Sequence, residues 1–297
     1  MDFEKKYGIF LERAEKTINK FFKETDIPQK SVFEAMRYAI TGGGKRLRPV
    51  LVMAAAELCG ADENDAAIVG LAVECVHNYS LIHDDLPCMD DDELRRGRAT
   101  CHVKFGEDIA VLAGDGLLNA AFEILANTDN FNTLSSGKLL RIIRCLADSS
   151  GAYGIIGGQV VDIESEKKQG ITKEQLDYLH SRKTGALIRA AVRCGCLCGE
   201  CDERIHNATD LFAAKLGLAF QIKDDILDVE GDQEKLGKPV GSDEKSEKTT
   251  YVSLFGIERA KEYLKEVTNS AISSIDGFGE EADFLRQLAL WLLQREK

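Results

Sequence analysis

Two short runs of aspartate invite a chemical reading. The first is HDDLPCMDDDELRRGRAT, residues 83–100, and the second is FQIKDDILD, residues 220–228. Both sit in apolar helical surroundings, where Asp and Glu are rare unless paired or bound to a metal. Asp224 and Asp228 are four apart, so a helix places them on one face. Asp84 and Asp90 are six apart, about 120° around an ideal helix, and converge only if the helix is distorted. Pro87 lies between them and interrupts the hydrogen-bond ladder. The expectation is a helix that bends or ends near Pro87, with Asp90 folded back beside Asp84. Every candidate ligand is a carboxylate, a hard oxygen donor that suits Mg²⁺ or Mn²⁺ rather than zinc or copper. Mg²⁺ is commonly held by one or two carboxylates plus substrate phosphates. Two facing clusters could therefore clamp a diphosphate. For either run alone the plainer reading is a solvated acidic helix end.

The basic residues favour the clamp. GGGKRLRP, residues 42–49, is a glycine-rich turn entering a basic segment. Lys45 and Arg48 are three apart and share a face if the segment is helical. Glycines let the backbone approach an anion, and a helix N-terminus favours one. The Walker pattern G-x-x-x-x-G-K-[ST] is absent. Arg95 and Arg96 follow the first acidic run; adjacent arginines on a helix point in different directions and could grip two anions. Their plainer reading is ion bridges to Asp91, Asp92 or Glu93. Lys183 and Thr184, in SRKTGAL, add another polar pair.

These residues need a scaffold, and the apolar spacing supplies one. Phe10, Ala14, Ile18 and Phe21 recur at helical intervals, as do Leu176 and Leu179, with Leu187 beyond a loop-like 183–185, and then Leu211, Ala214, Leu218 and Ile222. Alternating strand patterns are scarce. The chain reads as all-α, about ten or more helices in one domain spanning 1–297. Turn chemistry marks breaks at 26–28, 41–44, 60–64, 127–132, 149–154 and 164–172. The longest polar stretch, 230–248, holds Lys238 and Lys248 and reads as a mobile lid over a charged substrate.

Composition narrows the class. The net charge is −12, against general nucleic-acid binding, so the placement of the 38 Lys and Arg matters more than their number. No run approaches about 20 apolar residues, and the N-terminus lacks the apolar core of a signal peptide, so neither a membrane span nor export is expected. Of nine cysteines, Cys194, Cys196, Cys198 and Cys201 crowd together. Their C-x-C spacing invites a zinc reading, but no histidine or second cysteine pair stands at zinc-finger spacing. The stronger reading is that cysteine packs as a small apolar residue in RAAVRCGCLCG, in a reducing, cytoplasmic setting.

In order and spacing, GGGKRLRP, SLIHDDLPCMDDDELRRGRAT, SRKTGALI and FQIKDDILDV, with the ending WLLQREK, resemble the trans-isoprenyl diphosphate synthases. The closest resemblance is to their bacterial farnesyl-forming branch. It implies helices around a deep central cavity, a homodimer, and about three Mg²⁺ ions per site. Asp84 and Asp90 would hold metal from one wall and Asp224 from the other, with Asp85, Asp225 and Asp228 in the same motifs. Lys45, Arg48, His77 and Arg96 match positions that hold isopentenyl diphosphate. Arg95, Lys183, Thr184, Gln221 and Lys238 match those around the allylic diphosphate, dimethylallyl or geranyl, and Lys248 a further lid position. Product length would be set by a floor formed by Tyr79 and Ser80, which the helix carries roughly 6–8 Å below Asp84. Ideal geometry puts Ser80 nearer the Asp84 face, whereas an aromatic at Tyr79 resembles the fifteen-carbon pattern. Geranyl or geranylgeranyl synthesis remains the alternative within the family. A terpene cyclase usually has an Asn/Ser/Glu second motif, and a non-catalytic regulatory subunit should have lost one acidic motif.

Overall fold

The computed structural model describes residues 2–165, 170–230 and 249–295. Among them the expected all-α architecture is found, with one two-stranded hairpin as the exception. α1 (Phe3–Phe21) buries Tyr7, Phe10, Ala14 and Ile18, a single stripe at spacings of three and four. α2 (Lys30–Ile40) and α3 (Leu47–Leu58) follow, Pro49 being tolerated in the first turn of α3. α4 (Glu63–Asp84) is buried on nearly every side, because α2, α3, α6 and α10 surround it. Its start is fixed twice. The Asp62 side chain caps the Asn64 and Asp65 N–H groups, and buried Asp65 accepts from the Asn132, Thr133 and Leu134 backbone.

After the hairpin β1 (Leu94–Arg95) and β2 (Arg98–Ala99) come α5 (Cys101–Phe105), α6 (Glu107–Ala126) and α7 (Ser136–Ser150). α6 is the one described helix whose length and apolar composition suit a membrane crossing. It packs against α2, α4, α5 and α7 and buries Ala110, Ala113, Leu117 and Ala121 among them. α8 (Ile155–Ser165), α9 (Lys173–Lys183), α10 (Gly185–Cys198) and α11 (Glu203–Glu230) lead to α12 (Tyr251–Phe255), α13 (Ile257–Ser274) and α14 (Asp283–Gln294). Each expected break falls at an element boundary. α11 joins two apolar clusters: Phe212 and Leu216 enter the main core, while Ile222 and Ile226 pack with Tyr251 and Leu264. Residues 231–248, and with them Lys238, Lys248 and the expected lid, lie outside the described residues.

Candidate active site

The first aspartate wall is built where α4 stops. Asp84 is the last helical residue, and Pro87 has no N–H with which to continue the ladder. The chain reverses instead. The Met89 N–H donates to the Leu86 carbonyl at 2.8 Å, and the Asp90 N–H donates to the Asp84 carbonyl at 2.8 Å. Asp90 is thus returned beside Asp84 by a backbone bond. Burial pushes the Asp84 carboxyl up to about 6; Asp90 and Asp85 add repulsion, while Lys183 and Arg95 oppose it. Among the described residues no hydrogen-bond donor reaches the Asp84 carboxylate. Crowded carboxylates, with Asp84 beyond the reach of any described donor, are what a hard divalent cation would neutralise, so Asp84 and Asp90 fit such an ion. Asp85 is engaged differently. It is buried, and both its oxygens accept from Arg95 Nε, at 2.6 and 2.9 Å.

The second wall lies on uninterrupted helix. Asp224 is 38% exposed and accepts from Arg295 Nη2 at 2.5 Å. Asp225 is buried and accepts from the Tyr251 N–H at 2.8 Å and from Gln221 Nε2 at 3.1 Å. Asp228 is buried as well. Of the three, Asp224 is the one whose carboxylate is open enough to meet an ion.

Between the walls stands a basic pole. The turn after α2 passes through Gly43 and Gly44 at φ +80° and +112° and enters α3 through Arg46 at φ +50°. Arg46 is buried and satisfied by Glu15, Glu74 and the Ile40 carbonyl, at 2.7, 2.9 and 2.7 Å. Arg48, in the first turn of α3, has a buried Nε with no partner. Burial pulls its guanidinium down to about 10; Arg96 pushes the same way, against Glu74 and Asp224. His77 is held neutral, well below its ordinary range, first by burial and then by Arg48, Arg96 and Arg95. A guanidinium with a buried, unpartnered Nε beside further arginines and a neutral imidazole fits an anion.

Arg95 and Arg96 reach this pole from the hairpin, not from the helix expected of them. Leu94 pairs with Ala99 and Arg95 with Arg98, leaving Arg96–Gly97 as a two-residue turn with φ +53° and +74°. Positive φ at both positions suits the twist of such a hairpin. Strand geometry therefore separates the two arginines. Arg95 turns to Asp92 at 3.4 Å, as the ion-bridge reading anticipated, and more closely to Asp85, which that reading did not name. Arg96 donates to the Gly43 carbonyl and lies flat over Gly44, where an added Cβ would stand 2.6 Å from its guanidinium carbon. Lys45 Nζ sits 5.8 Å from the centroid of the Trp291 ring on α14.

Lys183 ends α9 and Thr184 joins it to α10. This junction presses against Gly158 of α8, where a Cβ would meet the Lys183 nitrogen at 2.4 Å. Lys183 Nζ donates to Asp162 Oδ2 at 2.5 Å; Thr184 Oγ1 donates to Gln221 Oε1 at 3.1 Å. Asp162, His180, Lys183, Gln221, Asp225 and Thr250 line one cavity, in which burial brings His180 down to about 4. Asp162 was not singled out from sequence, although IGGQVVDIES offers a carboxylate among apolar neighbours, the same signal that marked Asp224. Arg295 carried no such signal.

Tyr79 is buried near Asp84, its ring edge-on to His83 at 5.8 Å and its hydroxyl 3.5 Å from the Ser150 carbonyl. Ser80 donates to the His77 carbonyl of its own helix at 2.8 Å. The aromatic side chain thus spans from α4 to the end of α7, while the hydroxyl stays on its own turn.

Known proteins share this arrangement of sequence. The chain is 42% identical over 301 residues to the farnesyl diphosphate synthase of Escherichia coli (strain K12), covering 100% of both. Its fold superposes on an FPP/GFPP synthase from Zymomonas mobilis with a TM-score of 0.88 at 37% identity, covering 98% of each chain. A geranyltransferase from Helicobacter pylori complexed with magnesium and isoprenyl diphosphate gives a TM-score of 0.81 at 33% identity, covering 97% of this chain and 96% of that one. With residues 29–287 matching the family described as polyprenyl synthetase, the chain belongs to the polyprenyl synthetases.

Proposed function

We propose that this prenyltransferase condenses isopentenyl diphosphate with dimethylallyl and then geranyl diphosphate, giving (E,E)-farnesyl diphosphate. The observation that carries the reading is the pairing of opposites. Arg48 offers a buried Nε without a partner beside His77 and Arg96, and Asp84 offers a carboxylate that no donor among the described residues reaches. Arg48, Arg96, His77 and Lys45 hold the isopentenyl diphosphate. Lys183, Thr184 and Gln221 orient the allylic diphosphate, with Arg95 behind them and Lys238 and Lys248 contributed from outside the described residues. Asp84, Asp90 and Asp224 are the carboxylates that would hold Mg²⁺, with Mn²⁺ as substitute; Asp85, Asp225 and Asp228 support them. Bound magnesium would stabilise charge on the departing diphosphate. The allylic cation is then attacked by the isopentenyl double bond, and loss of a proton completes the product. The buried walls exclude water that would quench the cation. The enzyme acts as a homodimer in the cytoplasm; the exposed Val111 and Leu112 of α6 support the dimer.

The test is incubation with isopentenyl diphosphate, either allylic substrate and Mg²⁺, followed by product sizing. A dominant fifteen-carbon product supports the proposal, a twenty-carbon product moves it to geranylgeranyl synthesis, and no product from either pair refutes it. If Tyr79 is the floor, Tyr79→Ala should lengthen the product, and an unchanged chain length would remove Tyr79 from that role.

A further inference from the structure

Far from the aspartates, three cysteines separated in sequence come together. Cys59 follows the last residue of α3, Cys196 lies in the last turn of α10, and Cys201 sits in the link into α11. Their sulfurs all lie within 4.8 Å of one another with no disulfide between them, and Cys196 Sγ also lies 3.5 Å from Thr209 Oγ1. Cys59 and Cys196 are buried, whereas Cys201 is partly exposed. α3 and α10 both begin at the active-site end, at Arg48 and Thr184, so the cluster closes their opposite ends. Eleven residues of helix put it roughly 16 Å from Arg48. The juncture is fixed by the backbone: the Glu200 N–H donates to the Cys59 carbonyl at 2.9 Å. A Cβ on Gly199 would lie 2.1 Å from that carbonyl oxygen, so only glycine lets the strands of chain meet so closely.

We propose that Cys59, Cys196 and Cys201 form a trithiolate Zn²⁺ site whose fourth position opens to solvent beside Cys201. Zn–S bonds of about 2.3 Å in a tetrahedron set sulfurs ~3.8 Å apart, so the cluster need close by only about 1 Å or less. Each thiol gives its proton to solvent as its bond to zinc forms, and nothing is oxidised. Three thiolates leave a net charge of −1 with Zn²⁺ but −2 with Cu⁺. In a largely buried pocket the smaller charge costs less. The ion would tie α3 and α10 to the entry of α11, the helices that carry Arg48, Thr184 and Asp224. Sequence spacing concealed the site because Cys59 lies 137 positions before Cys196.

The experiment titrates the reduced, full-length protein with Co²⁺ in excess Mg²⁺, which occupies carboxylates. One equivalent should produce a thiolate-to-cobalt charge-transfer band that Zn²⁺ displaces, and Zn²⁺ should raise the melting temperature. Cys201→Ser, at the partly exposed position, should abolish the band while melting cooperatively; Cys59→Ser should do the same, and Cys88→Ser should not. Absence of the band in the parent chain, its survival in folded Cys201→Ser, two thiols lost to a disulfide in air, or retention of Cu⁺ with no Zn²⁺ bound would each overturn the proposal.

Discussion

The end of α4 and the middle of α11 carry similar aspartate motifs and treat them in opposite ways. On α11 Asp225 is provided for within the fold, capping the entry to α12, and even the 38% exposed Asp224 is steered by Arg295. At the end of α4, Asp84 is half-buried beside Asp90 and Asp85 with no donor among the described residues, and its raised pKa records the cost. The same contrast separates Arg46 from Arg48, two residues apart. One is bonded to two carboxylates and a carbonyl, and the other has a buried nitrogen with no partner. Groups left short of partners in a stable protein mark where a ligand completes the structure. The satisfied ones mark the frame.

That contrast can be broken by substitution. Asp84→Ala should lower kcat by about a thousandfold or more, roughly 4 kcal/mol of barrier, without loss of thermal stability; near-normal turnover at saturating Mg²⁺ would place Asp84 in the frame instead. Asp225→Ala should act on stability first, since it orphans the buried Tyr251 N–H. A loss of about 1–3 kcal/mol in urea unfolding is expected, and a variant of full stability would show that Asp225 is not a frame residue. Arg48→Met should raise the KM for isopentenyl diphosphate by about ten- to a hundredfold while leaving the ligand-free melting temperature level or higher, because a half-buried cation with an unpartnered Nε is removed. A lower melting temperature with unchanged KM would reverse its assignment.

The smallest effect concerns pH. The folded Asp84 carboxyl is raised from 3.8 to about 6, so the folded state holds this proton more tightly than the unfolded one. Its contribution to stability is present below the lower value and is lost as pH rises through about 6. Metal-free Asp84→Asn should therefore match the parent near pH 4 and melt higher at pH 7; parallel curves across that range would mean the carboxyl is not strained.

Much of this was legible in the residues. The helices follow from spacing, and the reversal at Pro87 follows from a missing N–H, which is local chemistry. What stayed hidden depends on distant pairing. The hairpin around Arg96–Gly97 was read as helix because strands of two residues leave no alternation to detect. Asp85 and Asp225 looked like ligands because sequence shows a carboxylate but not the Arg95 or Tyr251 donor that engages it. Arg46 and Arg48 are indistinguishable as letters, and only the positions of Glu15 and Glu74 decide which is frame and which is site.

Arg295 reaches Asp224 across 71 positions and also donates to the Phe220 carbonyl at 3.0 Å, with its guanidinium stacked 4.0 Å over the Phe220 ring. The aim of a carboxylate in the middle of α11 is thus steered from just past α14, by one side chain. Fraying of that one turn would unlatch Asp224 while the bundle kept its shape, a fault visible in catalysis before it reached any spectrum of folding.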